Sequence, residues 1–349
     1  MRILICGALG PETTARPRAD AMARLGHDVT RLDVDALMPP APRAAAWLRY
    51  RALAGPAVSA VNRAVLRTVR EGGPFDLIWC DKPVFLRPET VRRLRETGAL
   101  VASYNPDNPF GRRNDPGWRL FLKAIPEYSA HVLGQPASMA EYRARGVAHV
   151  FNMPAAYEPS IHFPPPARWS EADRDIEVSF VGSPYDGRAA VVRALWRDHG
   201  IRVRIWGARW DRVLSVDERR RFRSGGPVYN DGYREVIWRS RISLGFVTRA
   251  NLDTFARRWF EIAGCGGFLL AERTADGLAC FADGEEAVFF DGVEECAAQI
   301  ARYLPDAGTR HRIARAGHLR AGRSGYDNES RIAAVFGEIL SATGRDGAR

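Results

Sequence analysis

Residues 176–188 read IEVSFVGSPYDGR, an apolar run that ends in glycine, turns, and opens a helix near Arg188. Strands buried on both faces read as near-continuous apolar runs, and a strand feeding a helix through a glycine turn is how a doubly wound α/β sheet begins. The same signature stands at the start of the chain, where RILICGALG (2–10) precedes a helix to about Leu25 and a second strand, HDVTRLDVD (27–35). Between the two, FDLIWCDKPVFL (75–86), a helix from about Pro88 to Thr97, ALVASYNPDN (99–108), HVLGQPASMAEYRARG (131–146) and AHVFNMPAA (148–156) sustain the alternation. EPSIHFPPPARWSEADRD (158–175), rich in proline and charge, then reads as a linker. After it, strands are expected at IRVRIWG (201–207), RISLGFV (241–247), GFLLAE (267–272) and EAVFF (286–290), with helices between them. The pattern therefore predicts two Rossmann-like domains, residues 1–165 and 172–326, with a last helix over about 328–343 and a disordered tail from 344 to 349.

Length supports the division, because 349 residues exceed what one hydrophobic core usually serves. With 46% hydrophobic and 26% charged residues the chain can bury large cores. No run approaches the ~20 apolar residues that span a bilayer, and Met1 leads straight into a strand, which predicts a cytoplasmic protein. Cys6, Cys80, Cys265, Cys280 and Cys296 are scattered and read as core residues in a reducing compartment. The net charge of +10 suggests an anionic partner, or only the arginine bias of a G- and C-rich genome. No nucleic-acid module or interleaved basic and aromatic tract is present, so nucleic acid is not expected as a partner.

Two segments carry chemistry. Gly182, Gly187, Arg188 and Ala189 nearly match a phosphate loop, but arginine replaces its lysine and Ala189 has no hydroxyl for magnesium. A P-loop is excluded; a phosphate role for Arg188 stands beside an ordinary strand-to-helix turn with a surface arginine. The second segment is RRWFEIAGCGGFLLAERTADGLACFADGEEAVFF (257–290), whose first part predicts a helix from about Phe255 to Cys265. Glu261 is the one carboxylate in the apolar stretch 260–270, and a buried carboxylate requires a partner. That partner is either a ribose diol or one of Arg257 and Arg258; Arg258, three residues earlier, shares its helix face.

The pattern Arg258-x-Phe260-Glu261, Cys265-Gly266-x-Phe268-Leu269-Leu270, then Phe281-x-x-Gly284-Glu285-Glu286, resembles the CgeB-like (spore-maturation protein) branch of group 1 glycosyltransferases. DLIWCDKP (76–83), YNPDNP (104–109), VFNMPAAYEPSIHFP (150–164), VSFVGSPYDGR (178–188), VRIWGARW (203–210) and GYDNESR (325–331) extend the likeness along the chain. It implies the GT-B architecture, two Rossmann-like domains facing across a cleft, and transfer of a hexose from a nucleotide sugar to an acceptor hydroxyl without a metal cofactor. Glu261 matches the ribose-binding glutamate, and Asp253, eight positions earlier, stands where a second acid faces the donor sugar. Ser183 and Arg188 match the phosphate-binding pair, so one positive charge is missing, and Arg258 is the candidate to supply it. Tyr229 lies where relatives contact the base, or is a plain exposed turn tyrosine. The last helix is expected to cross back to the first domain.

Asp107 lies beyond a strand end of the first domain and reads as an acceptor contact or base, or as part of an Asx-type turn. Asp33 and Asp35 read as a turn cap or ribose ligand rather than a metal pair, and the seven histidines, His162 in the linker included, carry no assigned role. Arg43–Arg70 reads either as an amphipathic membrane-facing segment or as two ordinary helices over the first sheet. The rival to catalysis is a non-catalytic nucleotide- or sugar-binding protein that kept the fold, because fold does not dictate function.

Overall fold

The computed structural model describes residues 1–38, 40–111 and 116–345, and it resolves into two compact units. The first begins β1 (Arg2–Gly7), α1 (Ala15–Arg24), β2 (Asp28–Asp33), α2 (Arg43–Ala52), α3 (Pro56–Gly72), β3 (Leu77–Asp81) and α4 (Pro88–Arg95). It continues with β4 (Leu100–Asn105), α5 (Arg119–Ala124), β5 (Ala130–Leu133), α6 (Met139–Arg143) and β6 (Val150–Asn152). The second holds β7 (Ile176–Val181), α7 (Arg188–His199), β8 (Val203–Trp206), α8 (Val216–Arg221), α9 (Asn230–Arg239), β9 (Ser240–Gly245) and α10 (Arg257–Gly264). It ends with β10 (Leu269–Glu272), α11 (Ala275–Cys280), β11 (Val288–Phe290), α12 (Gly292–Tyr303) and α13 (Ala307–Arg323). The last helix, α14 (Asn328–Ala342), belongs to the first unit.

Both sheets are parallel, in the orders β2-β1-β3-β4-β5-β6 and β11-β10-β9-β7-β8. Parallel strands joined by helices bury both faces, which is why Ile3, Leu4, Ile5 and Cys6 of β1 are all inside. Leu4 and Cys6 meet Val61, Val65 and Val69 of α3, while Ile3 and Ile5 meet Ala19 and Met22 of α1 and Ile332 and Phe336 of α14. The stretch around α3 is thus a helix covering the first sheet, with its arginines outward. An ion pair between Arg24 and Glu329 fastens α14 beside α1. Of the expected tail, residues 346–349 lie outside the described residues, and Arg345 donates to the carbonyl of Gly98.

The proline-rich segment belongs to the second unit rather than dividing the two evenly, and the units meet in sequence at Ala155 and Ala156. The cause is aromatic and charged anchoring. Phe163 and Trp169 pack edge-on against Trp238, and Glu171 pairs with Arg241 and with the buried Arg310. Tyr157 bridges to Asp327, so the two ends of the second unit lie side by side.

At the end of β8, Gly207 has φ +152°, and a Cβ there would overlap the carbonyl oxygen of Gly182. Gly207→Ala is therefore expected to cost roughly 1–3 kcal/mol through strain and overlap. A thermal melt matching wild type would show that the turn tolerates a side chain.

Candidate functional site

In a doubly wound sheet, ligands bind beyond the strand C-termini where the strand order reverses. In the second sheet that point lies between β7 and β9. Two loops leave the sheet there, residues 182–187 towards α7 and residues 246–256 towards α10.

Gly182 opens the first loop, and its backbone is already engaged. Its N–H donates to Trp206 O, and its carbonyl accepts the Trp210 indole N–H at 2.8 Å. A side chain at Gly182 would strike the Phe180 ring. The Gly182 amide, which a strand end opening such a loop would leave free for phosphate, is instead engaged in the sheet, because strand pairing with β8 extends one residue further. Gly187, at φ +81°, begins α7 without a side-chain cap, and the first-turn amides of Arg188, Ala190 and Val191 donate to the carbonyls of Tyr185 and Gly187.

Arg188 is not a surface arginine. It is buried and crosses the switch point, donating to Ser183 O at 3.0 Å, to Val247 O at 2.9 Å and to Thr248 Oγ1 at 3.0 Å. Burial lowers its pKa, and Asp186, Glu272 and Asp253 oppose that effect. Arg188 thereby ties the two loops together, and Ser183 contributes its carbonyl rather than its hydroxyl.

The second loop is held by Glu272, at the end of β10, whose carboxylate accepts Val247 N–H at 2.7 Å and Arg249 at 3.0 Å. Glu272 went unassigned in sequence, although an acid closing the apolar strand GFLLAE was the available signal. Asp253 accepts from the Asn251 amide at 2.8 Å, and its own N–H donates to Thr248 O, so this loop folds back on itself.

From there the chain enters α10, amphipathic because Trp259, Phe260, Ile262 and Ala263 face the core. Glu261 is 3% exposed, as its apolar setting predicts. Its Oε2 accepts from Arg258 at 2.8 Å, and its Oε1 lies 3.1 Å from Arg257 Nε. Burial alone would raise the Glu261 pKa, but Arg257, Arg258 and His162 outweigh it and hold it at about 2. Arg258 also lies over the ring of the buried Tyr233, 4.4 Å from its centroid. Both arginines weighed as partners in sequence are therefore used at once.

His162 completes the cluster. Its Nδ1 accepts the Glu158 N–H at 3.0 Å, which leaves the ring proton on Nε2, 3.8 Å from Glu261 Oε1. Its ring packs edge-on against Tyr233, and burial is the main cause lowering its pKa. A linker histidine ahead of a proline run gave no sign of this in sequence. Tyr229 stands apart: it is exposed and precedes α9 as N-cap, while Tyr233, one turn on, is the aromatic that meets Arg258.

In the first unit, Asp107 pairs with Lys82 at 2.5 Å, and its N–H turns onto Asn105 Oδ1 at 3.3 Å, an Asx turn beyond β4. Asp33 accepts from the amides of Leu9 and Asp35, which makes it a turn cap. Among the described residues, no group of three or more His, Cys, Asp or Glu is placed to hold a metal ion, and no helix is long and apolar enough to cross a membrane.

Residues 188–337 match the family model described as Glycosyl transferase-like. No curated protein matches the sequence. Among solved structures, HepE of Anabaena in complex with UDP-glucose is similar at TM-score 0.67 and 13% identity, covering 98% of this chain and 100% of that one. Sucrose-phosphate synthase from Thermosynechococcus elongatus is similar at TM-score 0.68 and 12% identity, with 98% and 100% covered. AviGT4, a glycosyltransferase involved in avilamycin A biosynthesis, is similar at TM-score 0.60 and 16% identity, with 99% of each chain covered. The segment that carries Arg188, Asp253, Arg258 and Glu261 is thus glycosyl transferase-like, and the chain as a whole has the GT-B fold of two Rossmann-like units.

Proposed function

We propose that the protein is a metal-independent glycosyltransferase of the CgeB-like branch, moving a hexose from a nucleotide sugar to an acceptor hydroxyl in the cytoplasm. The observation that carries this reading is the buried Arg258–Glu261 pair at 2.8 Å on α10, inside the glycosyl transferase-like segment. A carboxylate has about four lone-pair sites, and two guanidiniums occupy two of them, which leaves two for the vicinal hydroxyls of a ribose. Arg257, about a third exposed, covers Glu261 and swings aside in this reading.

Attack of the acceptor hydroxyl on the sugar C1 breaks the bond to the diphosphate, and negative charge grows on its oxygens. Arg258 and the positive end of the α7 dipole stabilise that charge in this reading, while Arg188 keeps the two loops in register. Asp253 contacts the donor sugar, Tyr229 the base, and Asp107, with Lys82, the acceptor. HepE binds UDP-glucose, so UDP-glucose heads the donors to test. The test is a thermal-shift screen of UDP, GDP, ADP, CMP and dTDP sugars, followed by a transfer assay with the best donor. Donor binding without transfer or hydrolysis would favour the non-catalytic binder.

Donor binding is expected to survive EDTA, because arginines stand where other glycosyltransferases use a metal. Loss of binding in EDTA with recovery in manganese would overturn the metal-independent reading.

A further inference from the structure

A groove of about 740 Å³ lies between α3 and α4 in the first unit, floored by Leu66 and Phe75 and framed by Arg63, Arg67, Arg70 and Arg93. It opens beside Gly73–Phe75, which lead into β3, and beside the last turns of both helices. That is the N-terminal edge of the first sheet, opposite the edge where this fold places substrates.

Arginines in the last turns of α3 and α4 have an ordinary reason to be there, since cations stabilise helix C-termini. This accounts for Arg70 and Arg93. It does not account for Arg67 and Arg63, which sit one and two turns further back on the same stripe. Among the described residues, Arg63, Arg67 and Arg93 pair with no acidic side chain, Arg70 has only its exposed neighbour Glu71 at 3.5 Å, and Glu96 is the one acid in the lining. The corresponding edge of the second sheet offers an internal contrast. Its smaller groove also gathers four arginines, but Asp175 and Glu177 line it, Arg241 pairs with Glu171, and Arg202 and Arg204 lie over Trp196 and Trp206. Two acids line that groove, although Asp175 is itself held by Arg239, and a carboxylate holds Arg241, whereas the α3–α4 groove has Glu96 alone in its lining and Glu71 beside Arg70.

We propose that the α3–α4 groove docks the phosphate head groups of an anionic lipid surface. Four guanidiniums around one concavity match several phosphates at once, and guanidinium pairs with phosphate in bidentate fashion. The apolar floor between them suits the glycerol and acyl portion of a lipid. Nucleic acid would instead call for several exposed stacking rings along a basic track, and the one aromatic in this lining, Phe75, is buried with Arg2 over its ring. This docking does not depend on the proposed donor site, whose residues belong to the second unit.

The test is sedimentation of the full chain with vesicles of phosphatidylcholine alone or with one-third phosphatidylglycerol, at about 0.1 M salt, where charges are screened beyond ~10 Å. Wild type should partition onto the anionic vesicles and leave them at high salt. Replacing Arg63, Arg67, Arg70 and Arg93 together by glutamine should lower the partition coefficient at least tenfold. Replacing the equally exposed Arg220, Arg221, Arg312 and Arg315 by glutamine, the same change in net charge, should lower it less than threefold. All four groove arginines are exposed, and melting curves of both variants should match wild type. Unchanged partitioning of the groove variant, equal losses in both variants, or displacement from vesicles by millimolar glycerol phosphate would each overturn the proposal. So would tighter binding to RNA than to vesicles, lost in the same groove variant.

Discussion

Glu261→Ala is expected to weaken binding of the best nucleoside diphosphate at least about a hundredfold, because two charge-assisted bonds to ribose hydroxyls are worth roughly 1.5–3 kcal/mol each. The same substitution strips Arg258 of its carboxylate inside the fold, and removing one member of a buried pair costs about 3 kcal/mol or more. In a unit of this size that is a fall of roughly 6–12 °C in Tm. Stability loss alone therefore does not separate a ligand-binding glutamate from a purely structural one, whereas affinity measured well below the transition does. Glu261→Gln should be milder on both counts, since one acceptor oxygen survives. Titration calorimetry of wild type and both variants, with ligand-free melts, decides the matter. Normal affinity in a destabilised Glu261→Ala would remove Glu261 from the donor site.

The pH dependence follows from the same pair. The Glu261 pKa is lowered from its ordinary 4.5 to about 2, so its contribution to stability is fully present above the ordinary value and fades as pH falls through the folded one. Between about pH 4.5 and 2 the gap in Tm between wild type and Glu261→Gln should close.

The reach of the sequence follows the range of the interactions. Strands such as ILIC in β1 and ISLG in β9 were legible because a sheet buried on both faces writes its burial into consecutive residues. Glu261 was legible for the same local reason: a charge inside FEIAGCGGFLL demands a partner, and the partners lie three and four residues away. Arg188 was only half legible. Its place at a helix start suggested phosphate, but its partners Val247 and Thr248 lie some sixty residues on, so no local pattern shows that the guanidinium turns inward. His162 and Glu171 were hidden in a segment that reads as a linker, and only the folded chain brings them to Glu261 and Arg310.

Asp81→Ala is expected to be the most damaging single change in the first unit. Asp81 is 5% exposed at the end of β3 and holds the equally buried Arg18 of α1 through both oxygens, at 2.8 and 2.9 Å. The clasp is built in. Gly7 lacks a side chain where a Cβ would lie 2.7 Å from Asp81 Cβ, and Arg18 lies over the Tyr104 ring, 4.4 Å from its centroid. Burial alone would lower the Arg18 pKa, and Asp81 more than offsets that; with Asp81 gone only the lowering remains, but a guanidinium starts from so high a pKa that it stays charged without its partner. An unpaired buried charge costs about 3–5 kcal/mol, or roughly 6–20 °C in Tm for a unit of this size. Asp81→Asn keeps the shape and one acceptor and should lose less, and adding Arg18→Met to Asp81→Ala should restore part of the loss by removing the stranded charge. Thermal and urea melts of the three variants measure this. UDP affinity well below the transition should stay at the wild-type value, because the residues proposed to hold the nucleotide all lie in the second unit. A Tm for Asp81→Ala within a degree or two of wild type would mean that the pair is dispensable to the fold, and reduced UDP affinity in that variant would place Arg18 and Asp81 in the chemistry instead.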